Sequence, residues 1–131
     1  MIKSFFRHII TVILRVEAIF ILRRYRPKIV AVTGSVGKTS AKDAIALGLR
    51  TSASVLQSPK SYNSEIGVPL TILGIENAWH NPINWLKNIL HGFRLIIFRT
   101  PYPEWLVLEI GADRVGDIRS LGRWLHPDIA V

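Results

Sequence analysis

The sequence predicts an α/β fold in which a parallel sheet is flanked by helices and preceded by an amphipathic N-terminal helix. A β-branched run at residues 29–33 leads through two glycines into a helical pattern that reaches Arg50, which is the order strand, turn, helix. A nearly continuous apolar run at residues 105–110 is typical of a strand buried on both faces of a parallel sheet. Apolar residues recur at helical spacing over residues 2–22 and 82–98.

Composition limits the class of protein. The chain has 131 residues, which is one domain or a piece of one and long enough to bury a modest core. Its hydrophobic content of 49% argues against intrinsic disorder. The sequence contains no cysteine, so disulfides, thiol nucleophiles and Cys-ligated zinc are excluded, and a reducing cytoplasm suits it. The four histidines lack metal-ligand spacing, and we interpret them as surface or packing residues.

Positive charge is concentrated at the N-terminus. Residues 1–28 hold seven Lys and Arg against the single acid Glu17, so they carry most of the formal net charge of +8. Basic charge in one hydrophobic arm favours a membrane surface over nucleic acid as the partner. The arm also lacks the interleaved exposed aromatics of a base-stacking platform. We therefore expect no nucleic-acid partner.

The N-terminal arm is predicted to be a helix from residue 2 to about residue 22. On a helical wheel its polar and apolar residues separate into two halves. The polar half contains Lys3, Ser4, Arg7, His8, Thr11, Arg15 and Glu17. The apolar half contains Ile2, Phe5, Ile9, Val12, Ile13, Val16 and Phe20.

Three placements of this helix stay open. A membrane span would put Arg15 and Glu17 near its middle, at a cost of about 2.5–3.5 kcal/mol for each charge. A helix lying in the membrane interface leaves both charges in water, and this is the placement we favour. The basic cluster at residues 23–26 would then meet anionic headgroups. The third placement is a helix packed on a part of the protein that is missing from this sequence. No small-residue cleavage site follows, so a secretory signal peptide is not expected.

Pro27 marks the boundary with the globular part. The predicted domains are therefore residues 1–27, a hydrophobic basic helix and candidate membrane anchor, and residues 28–131, a nucleotide-binding domain. Within the second, residues 53–57 are predicted to form a strand. Residues 66–73 are predicted to form an apolar turn or a short helix.

The turn after the first strand has the composition of a phosphate-binding loop. Residues 33–40 read T-G-S-V-G-K-T-S, and the backbone N–H groups of such a turn and of the following helix start can face an anion. The lysine offers a cation to the outer phosphates, and the threonine hydroxyl can hold Mg²⁺. The predicted nucleotide-binding residues are Gly34, Ser35, Val36, Gly37, Lys38, Thr39 and Ser40. Val32 stands where the strict motif has its first glycine, so a glycine-rich turn with a solvated lysine stays the alternative.

The predicted helix at residues 82–98 combines an apolar stripe with basic residues. The stripe consists of Trp85, Ile89, Phe93, Ile96 and Ile97, and the basic side of Lys87, His91, Arg94 and Arg99. We expect the stripe to face the core, with a second membrane-facing patch as the alternative.

The apolar run at residues 105–110 is interrupted only by Glu109. A carboxylate at the end of a buried strand needs a partner, and ligands of open α/β sheets bind beyond the carboxyl ends of the strands. Glu109 is thus a candidate to meet Mg²⁺ held by Thr39, directly or through water. The alternative is that it caps a neighbouring helix. A loop, a helix capped by Asp117 and the start of a further strand at Asp128 complete the prediction.

Three blocks together resemble a known family. They are T-G-S-V-G-K-T-S at residues 33–40, N-S-E-I-G-V-P-L-T at residues 63–71, and L-E-I-G-A-D with a following G-D-I at residues 108–118. In this order they resemble the central domain of Mur ligases, over roughly residues 28–131. Within that family they are most similar to the members that act on D-alanyl-D-alanine.

The resemblance implies a P-loop NTPase-like sheet and an ATP-dependent amide ligase of peptidoglycan precursor synthesis, in the cytoplasm. Such an enzyme turns a carboxylate of a UDP-muramoyl-peptide into an acyl phosphate, and D-alanyl-D-alanine then displaces the phosphate. It implies ATP and Mg²⁺ as cofactors, with Lys38 neutralising charge in catalysis. It also implies Mg²⁺ ligation by Thr39 and Glu109, and substrate contact by Asn63. With the N-terminal arm, the expected location includes the inner face of the plasma membrane.

The chain also departs from the family pattern. The family pattern has a nucleotide-sugar-binding domain before the central domain, where this sequence has only the hydrophobic arm, and the family's metal-binding His and carbamylated Lys would lie beyond Val131. We therefore expect that these residues alone do not complete ligation. Two alternatives remain: a membrane-anchored ligase that joins glutamates or other amino acids, and a non-catalytic membrane or nucleic-acid-binding module with a vestigial phosphate loop.

Overall fold

The computed structural model describes residues 2–33, 37–59, 66–75, 81–111 and 121–131. Their helices are α1 (Ile2–Tyr25), α2 (Lys38–Leu49), α3 (Gly67–Leu73) and α4 (Pro82–Ile97). Their strands are β1 (Lys28–Val32), β2 (Val55–Gln57), β3 (Trp105–Glu109) and β4 (Ile129–Ala130). The predicted helix that begins at Asp117 starts outside the described residues.

The four strands form one parallel sheet with the order β2-β3-β1-β4. The central strands β1 and β3 are apolar without alternation and are buried along most of their length, as expected for strands covered on both faces. Their register pairs Val32 with Glu109, so the carboxyl ends of both strands lie at the same edge. The predicted α/β fold with helices flanking a parallel sheet is confirmed.

Alternate residues of the central strands face two different hydrophobic clusters. Ile29, Ala31, Leu106 and Leu108 face the larger cluster, which contains buried residues of α1, α3 and α4. Val30, Val32 and Val107 face the smaller one, which is completed by residues of α2. The sheet therefore has three helices on one face and α2 on the other.

Helix α1 packs against α3 and α4 through one side. Its buried apolar residues are Ile10, Leu14, Ala18 and Ile21. The predicted division of its faces is wrong: Phe5, Ile9, Val16 and Phe20 of the apolar half are exposed, and Glu17 of the polar half is buried. The reason is that apolar residues occur all around this helix, and the side that packs against α3 and α4 includes Glu17.

Helix α4 begins where the sequence predicts. The side chain of Asn81 accepts hydrogen bonds from the backbone N–H groups of Ile83 and Asn84, and Pro82 occupies the first turn. The predicted core-facing stripe is partly wrong, because Trp85 is buried whereas Phe93 and Ile97 are exposed. Gly92 and Leu95 are buried in their place.

No helix among the described residues combines the length and the apolar character that crossing a membrane requires. The partition into residues 1–27 and 28–131 stays a prediction, since α1 shares its hydrophobic cluster with the sheet.

Candidate nucleotide-binding site

The site lies where β1 ends and α2 begins. Gly37 precedes the first helical residue, Lys38, and has φ 79°. This left-handed conformation is accessible to glycine without a Cβ penalty. The first turn of α2 contains no acidic residue and its N-cap makes no side-chain hydrogen bond. The helix therefore presents backbone N–H groups and a partial positive charge, which suit an anion.

The carboxylate at the end of β3 meets this helix start. The hydroxyl of Thr39 donates to Oε2 of Glu109 at 3.2 Å. The contact follows from the sheet register, because Val32 and Glu109 are paired at the carboxyl ends of their strands and Thr39 lies in the first turn of α2, the next element after β1. The structure thus brings together the two residues predicted to share Mg²⁺, and their role as ligands stays a prediction.

Glu109 is buried, with a side chain only 5% exposed, and two further residues surround it. The backbone N–H of Glu109 donates to the hydroxyl of Ser58 at 3.0 Å. Nζ of Lys42 lies 3.7 Å from Oε2 of Glu109 and donates to the carbonyl of Ser58 at 2.7 Å. A buried carboxylate is costly unless it is paired and hydrogen-bonded, so Lys42 and Ser58 explain how Glu109 is kept at this edge.

Sequence reasoning missed both Lys42 and Ser58. Lys42 is buried among the residues of α2 that face the sheet, one turn before Ala46. A lysine in register with the apolar stripe of a helix that follows a phosphate loop is the signal that could have identified it. Ser58 directly follows β2, which neighbours β3, so it reaches the same carboxyl edge.

The other predicted site residues are placed as follows. Lys38 is the first residue of α2 and is half-buried, while Ser40 is exposed in the same turn. Gly34, Ser35, Val36 and Asn63 lie outside the described residues, so their predicted roles stay predictions.

The donor set fits a magnesium ion that is shared with phosphate. Hydroxyl and carboxylate oxygens are the ligands this ion prefers, and it usually takes one or two carboxylates together with substrate phosphates. Thr39 and Glu109 supply one oxygen donor of each kind within hydrogen-bonding distance of each other. Over the described ranges, no three His, Cys, Asp or Glu side chains form a metal cage.

The sequence and the fold that contain this site are similar to those of known proteins. Residues 32–83 match the Mur ligase middle domain. The UDP-N-acetylmuramoyl-tripeptide–D-alanyl-D-alanine ligase of Bacillus subtilis (strain 168) is 32% identical over 111 residues, which are 84% of this chain and 19% of that protein. The structure of the MurF ligase from Thermotoga maritima in complex with ADP is similar, with a TM-score of 0.63 and 28% identity. That likeness covers 91% of this chain and 22% of the other. Most of this chain is therefore similar to Mur ligases, and residues 32–83 match their middle domain.

This chain spans only a part of the length of the relatives it matches. The ligase of the same name from Escherichia coli (strain K12) is 27% identical over 114 residues, which are 87% of this chain and 20% of that protein. A MurF structure from Acinetobacter baumannii shares the fold, with a TM-score of 0.62 at 22% identity. Lys38, Thr39, Lys42 and Ser58 lie inside the matched Mur ligase segment, and Glu109 lies beyond it.

Proposed function

We propose that the protein is an ATP-dependent amide ligase of peptidoglycan precursor synthesis that joins D-alanyl-D-alanine to a UDP-muramoyl-peptide. The observation that carries the proposal is the contact between Thr39 and Glu109 at the start of α2. It combines an anion-binding helix start with a hydroxyl and a carboxylate suited to Mg²⁺. The names of the relatives, UDP-N-acetylmuramoyl-tripeptide–D-alanyl-D-alanine ligases, supply the substrates.

The proposed reaction has two steps. A carboxylate oxygen of the muramoyl peptide bonds to the γ-phosphorus of ATP, and the bond to the β,γ-bridging oxygen breaks with release of ADP. The amine of D-alanyl-D-alanine then bonds to the acyl carbon, and phosphate leaves as the amine gives up its proton to solvent. Bound Mg²⁺ would neutralise negative charge on the phosphates during the first step.

The residues of this chain bind and orient the nucleotide. The N–H groups at the start of α2 face the phosphates, and Lys38 places a cation beside the outer ones. Thr39 and Glu109 would hold the Mg²⁺, while Lys42 and Ser58 fix the position of Glu109. By the family resemblance, Asn63 would contact the muramoyl peptide. Catalysis is therefore mainly a matter of position and charge.

Magnesium-dependent ADP binding tests the proposed site. We expect Thr39→Val and Glu109→Gln each to abolish the increase in ADP affinity that Mg²⁺ causes in the parent protein, measured by titration calorimetry. Matched controls are Thr51→Val and Glu104→Gln, which change exposed residues. An unchanged effect of Mg²⁺ in both site variants would contradict the proposed ligands.

Amide formation tests the proposed substrates. With UDP-muramoyl-tripeptide, D-alanyl-D-alanine and ATP, we expect a full-length ligase that contains this chain to release ADP and form one amide per ADP, and the 131 residues alone to form none. Activity on a poly-glutamate acceptor instead would assign the protein to the alternative ligase class. Nucleotide binding that survives Lys38→Ala, together with an absence of amide formation, would favour a non-catalytic module.

The proposed location is the cytoplasm, at the inner face of the plasma membrane, with residues 1–26 in contact with lipid. Exposed Phe5, Phe6, Ile9 and Phe20 on α1 support this contact. We expect the protein to co-sediment with vesicles that contain phosphatidylglycerol. Recovery entirely in the supernatant would exclude the contact.

A further inference from the structure

Two helices on the face of the sheet opposite α2 leave large apolar side chains in solvent. Among the described residues, α1, α4 and the residue that caps α4 contain eleven of the fourteen exposed large hydrophobic residues. On α1 these are Phe5, Phe6, Ile9, Val16 and Phe20, and on α4 they are Ile83, Leu86, Leu90, Phe93 and Ile97, followed by Phe98. The opposite side of each helix is buried in the larger cluster. Exposed apolar surface of this extent marks an interaction surface.

The two helices run parallel to each other. A Cβ placed on Gly92 of α4 would overlap the carboxylate of Glu17 on α1. Further along both helices, the hydroxyl of Tyr25 donates to the carbonyl of Leu95 at 2.7 Å and accepts from the N–H of Thr100 at 3.2 Å. The contact of Glu17 with Gly92 is thus followed by that of Tyr25 with Leu95, and the residue number rises along both helices in the same direction. The C-terminal ends of α1 and α4 therefore lie together.

The same two segments carry the positive charge of the protein. Residues 1–28 and 82–99 contain ten Lys and Arg against one acid, Glu17, which is buried. The rest of the chain contains seven Lys and Arg against eight acids. Six cations are exposed at or just beyond the shared C-terminal end: Arg23, Arg24, Arg26, Lys28, Arg94 and Arg99. Apolar strips that end in clustered cations are complementary to an anionic bilayer surface.

A cleft of about 490 Å³ opens at this end. Its lining contains three cations, Arg26, Lys28 and Arg99, against one acid, Glu104, together with Tyr25, Tyr102 and Trp105. The rings of Tyr25 and Tyr102 stack with centroids 4.8 Å apart. The cleft lies beside the first residues of β1 and β3, at the sheet edge opposite Thr39 and Glu109, so it is separate from the nucleotide site.

We propose that α1 and α4 together lie on an anionic bilayer surface and that the cleft holds the phosphate of one lipid headgroup between Arg26 and Arg99. The apolar strips enter the boundary of the acyl region, where aromatic and aliphatic side chains are stabilised. Another part of the same protein could cover apolar strips equally well, but it would not account for six exposed cations at one end of two neighbouring helices. This inference rests on the membrane contact proposed above and extends it to α4 and to a defined headgroup site.

Vesicle binding by the intact protein tests the inference. We expect it to bind vesicles of phosphatidylcholine with phosphatidylglycerol and to bind vesicles of phosphatidylcholine alone weakly. The double variant Arg26→Gln, Arg99→Gln is expected to lower partition into anionic vesicles by about fivefold per charge, or about 25-fold in all. The matched control, Arg50→Gln with Arg123→Gln, changes exposed arginines elsewhere and should alter partition by less than about twofold, because neither charge faces the bilayer.

A second pair of variants isolates α4. Leu86→Ser with Ile97→Ser is expected to lower partition at least about tenfold, since two apolar side chains no longer leave water. Leu47→Ser on α2 removes a side chain that is equally exposed, at 69%, and should have no effect. Loss of partition in the α4 and arginine variants but not in the controls supports the proposal.

Three outcomes would overturn it. They are equal partition of the parent and the α4 variant, equal sensitivity of the two arginine pairs, and a parent that leaves the vesicles unbound because another part of the protein covers α1 and α4. ADP binding, measured on the same preparations, separates this result from the proposed ligase function. A parent that binds ADP but no vesicle overturns only the membrane inference, and one that binds vesicles but no ADP overturns only the nucleotide site.

Discussion

At the scale of single residues, Glu109 depends on the polar groups that surround it at the carboxyl edge of the sheet. Lys42 is 2% exposed and is the cation nearest to it among the described residues, with Nζ 3.7 Å from Oε2. Breaking a buried pair by removal of one partner typically costs 3–5 kcal/mol, because the remaining charge stays buried. The pair is therefore a structural requirement of the site as well as a feature of its chemistry.

Replacement of the cation measures this requirement. We expect Lys42→Met to lower the free energy of unfolding by about 3 kcal/mol, measured by denaturant titration, and the double variant with Glu109→Gln to recover part of the loss. The control is Asp43→Asn, which removes the exposed carboxylate 3.7 Å from the same Nζ and should change stability by less than about 0.5 kcal/mol. A loss in the double variant equal to the sum of the two single losses would show that Lys42 and Glu109 are not coupled.

Glu17 is the second buried acid, and nothing among the described residues hydrogen-bonds to its two carboxylate oxygens. Burial raises the pKa of Glu17 from 4.5 to about 7. The folded protein therefore retains a proton that the unfolded chain releases near pH 4.5, so stability is fully present below that pH and falls as the pH rises towards 7. At about pH 8 the full penalty is on the order of 3 kcal/mol.

The variant Glu17→Gln removes the titrating group at this position. We expect its free energy of unfolding to exceed that of the parent by up to about 3 kcal/mol at about pH 8 and to approach that of the parent below about pH 4.5. Denaturant unfolding of both proteins across this range gives the difference, in which the other titrating groups cancel. A difference that does not vary with pH would show that Glu17 has an ordinary pKa in the folded protein.

Sequence rules predicted the contact of Thr39 with Glu109 but not the places of Lys42 and Glu17. The first follows from general properties of parallel sheets, since the polar residues after adjacent strands share one edge. Lys42 and Glu17 are charged residues on helices, and the usual rule assigns such residues to the solvated side. Each is buried because of a partner or a neighbour that only the tertiary structure supplies: Glu109 for Lys42, and the closely approaching Gly92 for Glu17.

At the scale of elements, α4 shows how one glycine sets the face that a helix buries. The sequence predicts a stripe through Phe93, whereas the structure buries Gly92 and exposes Phe93. Because Gly92 has no side chain, α1 and α3 approach the backbone of α4 closely at this point, and a Cβ there would lie 2.6 Å from Cδ2 of Leu73. Apolar periodicity alone cannot locate such an approach, since glycine contributes nothing to the pattern.

Alanine substitution at two helical glycines tests this approach. We expect Gly92→Ala to lower the free energy of unfolding by about 1–3 kcal/mol, because the buried side chains of Glu17 and Leu73 must shift to admit the added methyl group and this cost exceeds the gain in helix propensity. Gly48→Ala on α2 is the matched control, since a Cβ there has no neighbour within 4 Å. It should be neutral or raise stability by up to about 1 kcal/mol through helix propensity. Thermal or denaturant unfolding distinguishes the two, and equal effects at both positions would argue against close packing at Gly92.

At the scale of the whole molecule, we propose two functions that lie at opposite ends of the strands. The carboxyl ends of β1 and β3 meet the start of α2, where the nucleotide would bind, and their amino ends border the cationic cleft. The layer of α1, α3 and α4 covers the face of the sheet on which Ile29 and Leu106 lie. In this arrangement α1 is part of the core as well as a candidate membrane surface.

The shared core leads to an expectation about how the protein unfolds. Leu14 on α1 is fully buried in the larger cluster with residues of the sheet, so Leu14→Ala should lower the free energy of unfolding by about 2–5 kcal/mol. Because the cavity lies in a core common to α1 and the strands, far-ultraviolet circular dichroism and tryptophan fluorescence should report one transition at a lower denaturant concentration. Phe5→Ala, at a side chain that is 68% exposed, should leave the midpoint nearly unchanged. Two separate transitions, with the fluorescence change at the parent's midpoint, would instead show that residues 1–27 unfold as a unit of their own and that the larger cluster does not join them to the sheet.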